Sequence, residues 1–231
     1  MKDYKHIFFD LDQTLWDFET NSRETLLELA HKYKLSEKGV DSIDEFIAQY
    51  IHINKQMWDD YGKGLIDKNT LRYNRFHQAL GRYKIIDKTL SENIGNDYLS
   101  ISPLKTNMFP HSIEVLKYLS RKYSLHIITN GFEEVQHIKI KNCGIKQYFD
   151  QIITSERAGF KKPDIRIFQY SMDVVAASAP TSLMIGDSLE ADIIGARGAG
   201  LHQVYFNPAG NKHEEDITYE IKSLRELINL L

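Results

Sequence analysis

The sequence predicts an α/β protein, a parallel sheet with helices on both faces and an all-helical insertion near the start. Three observations predict it. A short apolar run, His6-Ile7-Phe8-Phe9, reads as a buried strand with no strand-like neighbour close to it in sequence. From about Asp17 to Pro103 the chain reads as helix after helix. From His111 onward helices and short apolar strands alternate, and strands separated by helices imply a parallel sheet.

In order, the first strand covers Lys5 to Phe9. Thr20 to Tyr33 carries Leu26, Leu27, Leu29, Ala30 and Tyr33 at helical spacing, and Ile43 to Tyr61 repeats the pattern through Phe46, Ile47, Tyr50, Ile53, Met57 and Trp58. Asp67 opens a third helix with Leu71, Tyr73, Phe76 and Leu80, and Asp87 to Ser100 gives a fourth. Gly62-Lys63-Gly64 is a turn inside this helical stretch. The alternating half follows: helix Ile113 to Lys122, strand Leu125 to Ile128, helix Glu133 to Cys143, strand Gln151 to Thr154, and helix Pro163 to Ala177 with proline in its first turn. Strand Leu183 to Ile185, helix Ala191 to Ala199, strand Gln203 to Phe206 and helix Ser223 to Leu231 complete it. The first strand has no local partner, so it is expected to join the later sheet, leaving residues 16 to 104 as an inserted lobe.

The 231 residues suffice for one good core plus a smaller lobe. Apolar residues make up 42% and charged residues 26%, ordinary for a globular chain, and the net charge of −3 gives no electrostatic case for nucleic acid or an anionic membrane. The charged start, Met1-Lys2-Asp3-Tyr4-Lys5, runs directly into a strand, with no signal peptide and no apolar run of membrane-spanning length. The single cysteine, Cys143, cannot form an internal disulfide and reads as a small buried hydrophobe, which fits a cytoplasmic setting.

The chemistry-bearing residues follow the strands, where ligands bind in an open parallel sheet. After the first strand come Asp10 and Asp12; two carboxylates two residues apart on an extended chain are expected to point the same way. After Leu125-His126-Ile127-Ile128 come Thr129-Asn130-Gly131, and after Leu183-Met184-Ile185 come Gly186-Asp187-Ser188 with Asp192 close behind. Lys161 and Lys162 precede the Pro163 helix. Asp10, Asp12 and Asp187 offer the hard oxygen ligands that suit Mg²⁺, and no Cys/His cluster points to zinc. Thr129, the backbone N–H groups near Asn130 and Gly131, and a lysine can hold phosphate oxygens. Together they read as phosphoryl transfer, with Asp10 attacking phosphorus and Asp12 protonating the leaving oxygen and then activating water.

With these residues in place, the chain resembles the haloacid dehalogenase superfamily of hydrolases. The D-x-D-x-T motif is matched by Asp10, Asp12 and Thr14, the strand-end Ser/Thr by Thr129, the lysine by Lys162 of Lys162-Pro163-Asp164, and the acidic pair by Asp187 and Asp192. The resemblance implies a Rossmann-like core over residues 1–15 and 105–231 and a helical C1 cap over 16–104. It implies Mg²⁺ as cofactor, Asp10 as nucleophile, and Asp12 as acid/base whose main-chain carbonyl binds metal. Lys162, which directly precedes the proline, would neutralise charge; Asp187 would hold the ion and Asp192 would support it. Haloacid dehalogenases proper lack the second aspartate, so Asp12 argues for a phosphate ester. Gln13 stands where many relatives have glycine.

The flanks, Phe9-Asp10-Leu11-Asp12 through Thr14-Leu15-Trp16-Asp17-Phe18 and Thr129-Asn130-Gly131-Phe132 with Gln136, resemble the bacterial pyrimidine 5′-nucleotidase branch. That branch dephosphorylates nucleoside monophosphates, including non-canonical pyrimidine ones, in a house-cleaning role. Within the resemblance, Phe132 either stacks on a base or packs the helix start, and Trp16 seals the hinge of the cap. The expected partner is a small phosphate ester, a nucleoside monophosphate first, acted on by a monomer or homodimer. A sugar-phosphate or phosphoglycolate phosphatase, a mutase, and a non-catalytic phospho-ligand binder are the alternatives.

Overall fold

Six parallel strands, ordered β3-β2-β1-β4-β5-β6, form the sheet in a computed structural model that describes residues 3–231. They are β1 His6–Phe9, β2 Ser124–Thr129, β3 Gln151–Thr154, β4 Ser182–Gly186, β5 His202–Phe206 and β6 Tyr219–Ile221. The first strand does join the later sheet: Ile7 lies in register with Leu125 of β2 on one side and Leu183 of β4 on the other. From β1 the chain builds outward to β2 and β3, then returns to add β4, β5 and β6 on the opposite side. The order therefore reverses beside β1, the place where such sheets open a crevice at their carboxyl ends.

Alternation along the strands divides two apolar layers. Ile7, Phe9, Leu125, Ile127, Leu183 and Ile185 face one layer, with Val115, Leu116 and Leu119 of helix α5 (Ser112–Leu119) and Ile140 of α6 (Glu133–Asn142). Phe8, Ile128, Ile153 and Met184 face the other, with Ile167, Phe168 and Met172 of α8 (Ile165–Val174). A short helix α7 (Ser155–Ala158) precedes α8. Both faces of the sheet are thus buried, as an all-parallel sheet requires. Met1 and Lys2, part of the charged start, lie outside the described residues.

The chain divides into two compact units: Glu19–Lys105, and the rest, which reaches Phe18 and resumes at Thr106. The helical unit holds most of α1 (Phe18–Lys32) and all of α2 (Ile43–Gly62), α3 (Lys68–Gly81) and α4 (Lys88–Ile101). Ser42, Asp67 and Asp87 cap the last three by accepting a hydrogen bond from the N–H three residues on. Its interior is built from Phe46, Tyr50, Ile53, Leu71, Phe76, Leu80, Ile94 and Tyr98, all buried.

The following elements differ from the sequence expectation, as does α7, which has no counterpart there. The helix expected from Pro163 starts at Ile165, because the Asp164 side chain accepts from the Arg166 N–H and makes Asp164 the cap. The helix expected over Ala191–Ala199 starts earlier, as a π-helical turn at Leu189–Ile194, and becomes α9 at Gly195–Gly198. Ser188 sets that start by accepting from the Ala191 N–H. The last helix splits into a 3₁₀ turn at Leu224–Glu226 and α10 at Leu227–Leu230, behind a reciprocal cap between Ser223 and Glu226. Strand β6 has no counterpart in the expectation, since its three residues carry no apolar run. Among the described residues no helix is long and apolar enough to cross a membrane.

Candidate active site

The site stands at the carboxyl ends of β1, β2 and β4. Asp10 directly follows β1, Thr129 ends β2, and Asp187 directly follows β4. Carboxylate oxygens of Asp10, Asp187 and Asp192 converge within 4.8 Å of one another. Gly186 permits this closeness: a Cβ there would lie 2.2 Å from Asp192 Oδ2. The Ser188 N–H fixes the same Asp192 oxygen at 3.0 Å, and the buried Thr14 hydroxyl donates to Asp187 Oδ1 at 3.0 Å.

Lys162 is buried and spends its three N–H donors on Asp10 Oδ1 (2.6 Å), Asp192 Oδ1 (2.5 Å) and the Ile128 carbonyl (2.9 Å). Burial works against its charge, but the two carboxylates more than offset that, so its pKa is raised and it stays an ammonium. Burial, then the neighbouring Asp192, pushes Asp187 up to about 7. Burial likewise raises the Asp10 carboxyl well above its usual range; three acids share one ammonium, and every ligand atom in the cluster is a hard oxygen. That set fits a divalent cation of the Mg²⁺ class.

Asn130 does not offer its side chain to a ligand. Its Nδ2 donates to the Lys162 carbonyl at 2.9 Å and its Oδ1 accepts from the Lys162 N–H at 2.8 Å, so it clamps the lysine's backbone. The Thr129 hydroxyl accepts from the Gly131 N–H (3.1 Å) and from Gln136 Nε2 (2.8 Å). Neither bond uses its own proton, which remains available to an oxygen acceptor. The Gly131 N–H is therefore already engaged. A Cβ on Gly131 would lie 1.8 Å from Gln136 Nε2, so the glycine makes room for that amide.

Asp12 is placed differently from the expectation. β1 ends at Phe9, before both aspartates, and Gln13, just after them, turns the chain with φ at +62°. The Asp12 carboxylate lies outside the acidic cluster and accepts from Gln136 Nε2 at 2.7 Å and Lys139 Nζ at 2.5 Å. Lys139 is 4% exposed, with its ammonium 4.0 Å from the centroid of the Trp16 ring, which is itself fully buried. Phe132 is buried at the cap position of α6. Sequence reasoning missed Lys139. Its signal was positional, since it falls three residues after Gln136 and so shares that side chain's face of α6. Asp192, expected only in support, belongs fully to the cluster.

Comparison with known proteins agrees with this geometry. The signature of the haloacid dehalogenase-like hydrolases matches residues 4–200. The chain is 32% identical to the pyrimidine 5′-nucleotidase YjjG of Escherichia coli (strain K12) over 97% of its own length and 96% of that protein's. It is 31% identical to the pyrimidine 5′-nucleotidase PynA of Streptococcus pneumoniae, over 99% and 95% of the two chains. Its fold superposes with a TM-score of 0.88 on the HAD-hydrolase YfnB of Bacillus subtilis, solved bound to magnesium, at 28% identity and 99% coverage of both chains. Matching signature, relatives and strand-end acids agree that the chain belongs to the haloacid dehalogenase-like hydrolase family.

Proposed function

We propose that this protein is a Mg²⁺-dependent phosphatase acting on pyrimidine nucleoside 5′-monophosphates through an aspartyl-phosphate. The observation that carries the phosphatase reading is Asp10 pinned by Lys162 beside the buried Asp192 and the half-buried Asp187, at the same strand-end rim as a threonine hydroxyl whose proton is uncommitted. The nucleotide reading rests on the two nucleotidase relatives.

Asp10, Asp187 and the Asp12 main-chain carbonyl would hold the cation, with Asp192 in support. When bound, the ion draws negative charge from the phosphoryl oxygens. Lys162 Nζ holds one Asp10 oxygen and leaves the other to attack phosphorus. Thr129 Oγ1 donates its proton to a phosphoryl oxygen. As the P–O ester bond breaks, the leaving alkoxide takes a proton from Asp12. Water then attacks the aspartyl-phosphate while Asp12 takes the proton back, releasing inorganic phosphate and restoring Asp10. Gln136 and Lys139 fix both Asp12 oxygens through this exchange. The cytoplasm suits such a substrate and a chain with one unpaired cysteine.

Phosphate release from uridine, thymidine and cytidine 5′-monophosphates, with Mg²⁺ or with EDTA, tests the reading beside a panel of sugar phosphates. Release confined to Mg²⁺ and strongest for the nucleotides is expected. A higher kcat/KM for a sugar phosphate than for every nucleotide would move the assignment to that class.

A further inference from the structure

Gln136 of α6 is fully buried within the unit that carries the sheet. Its Nε2 donates to two groups of the site at once, Asp12 Oδ2 at 2.7 Å and Thr129 Oγ1 at 2.8 Å. A primary amide has two N–H donors, so both are spent there. Its Oε1 is also buried and has no hydrogen-bond partner among the described residues. The backbone makes room for this amide, since a Cβ at Gly131 would fall 1.8 Å from Nε2.

Packing alone does not account for the arrangement. A methionine would fill the same space and spare the cost of an unpaired buried acceptor. What the amide adds is orientation. The Thr129 hydroxyl oxygen can accept two hydrogen bonds, and Gln136 and the Gly131 N–H supply both. Its proton is left to point away from them, toward a third group. Lys139 holds Asp12 Oδ1 at 2.5 Å, and Gln136 on Oδ2 is the second point that stops the carboxyl from turning about that contact. One nitrogen therefore sets the direction of the phosphate donor and of the acid/base group together.

We propose that Gln136 is a positioning residue, aiming the Thr129 proton at the phosphoryl group and the Asp12 carboxyl at the ester oxygen. The inference rests on the phosphatase reading above, not on the choice of substrate. Two kinds of ester separate its two effects. An alkyl phosphate needs a proton from Asp12 as its P–O bond breaks, because an alkoxide is a poor leaving group. p-Nitrophenyl phosphate releases a stabilised phenolate that departs without one. Both esters need the Thr129 donor. The measurement is kcat/KM with Mg²⁺ for p-nitrophenyl phosphate and for the best alkyl phosphate of the panel above. It is made on the full-length wild type, Gln136→Met and Gln136→Glu, with each melting temperature. Gln136→Glu keeps the shape and removes both N–H donors, so it serves if the methionine variant does not fold. A fall of about tenfold or more on p-nitrophenyl phosphate is expected from the misdirected Thr129. A further fall of about tenfold or more on the alkyl ester is expected from the misdirected Asp12. A smaller loss on p-nitrophenyl phosphate, or no further loss of that size on the alkyl ester, overturns the inference and leaves Gln136 a packing residue. A wild type that releases no phosphate from either ester with Mg²⁺ refutes the phosphatase reading itself, and this inference with it.

Discussion

The Thr129 hydroxyl accepts two hydrogen bonds and keeps its proton. Thr129→Val preserves shape and removes both functions. The Gly131 N–H and the Gln136 amide lose their acceptor, which should cost about 1–3 kcal/mol in urea unfolding. Loss of one preorganised donor to the phosphoryl group should lower kcat/KM by about 10²–10³. A valine variant with wild-type turnover would remove Thr129 from the phosphate site. Gly186→Ala acts on the cation instead, because its Cβ would collide with the Asp192 carboxylate. Mg²⁺ titration of activity should show at least a tenfold weaker apparent affinity, and an unchanged titration would show that Asp192 does not help to hold the ion. At this scale the sequence showed which residue types gather and at which strand ends. It did not show their orientation. Period-two alternation put Asp12 beside Asp10, but β1 stops at Phe9 and the Asp12 carboxylate is taken by Gln136 and Lys139 of α6. The expectation for Asn130 concerned its backbone N–H; that its side-chain amide clamps the Lys162 backbone, a partner 32 residues away, is something no local pattern reveals.

In the sheet, β1 and β2 place His6 and His126 in a stacked pair, 5.4 Å between ring centroids, with Nδ1 of His6 3.1 Å from Nε2 of His126. His126 is buried, and burial, reinforced by His6, lowers its pKa to about 4. The unfolded chain therefore binds a proton that the fold refuses between about pH 6.5 and 4. Stability contributed by the neutral ring is present above that window, falls as the pH drops through it, and levels off below it. The total loss is about 3 kcal/mol. Denaturant unfolding of wild type and His126→Gln from pH 7.5 to 4 checks this: the difference between them should shrink or reverse as the pH falls. Parallel curves would show that His126 titrates normally. Helices α2, α3 and α4 were legible because each joins an apolar stripe to a Ser or Asp cap. β6 and the π-helical turn were not, since β6 is held by its pairing with β5 and the turn by Ser188 and Asp192. Those causes are tertiary and leave no periodic trace.

For the molecule as a whole, the sheet order explains why residues far apart in sequence share one site. The order reverses beside β1, so the ends of β1, β2 and β4 are neighbours, and Asp10, Thr129 and Asp187 come from three separate parts of the chain. The parallel architecture and the helical insertion were readable because a lone strand followed by helices has only the later sheet to join. The substrate beyond its phosphate was not, because the strand-end residues that would meet a phosphoryl group carry nothing that separates one phosphate ester from another. The most direct test of the phosphoryl-transfer account is rapid acid quenching of the Mg²⁺-loaded enzyme during turnover, followed by mass spectrometry of its peptides. A phosphoryl group on Asp10, absent from Asp10→Asn, is the predicted result. Steady phosphate release with the label on another residue, or undiminished turnover by Asp10→Asn, would contradict it.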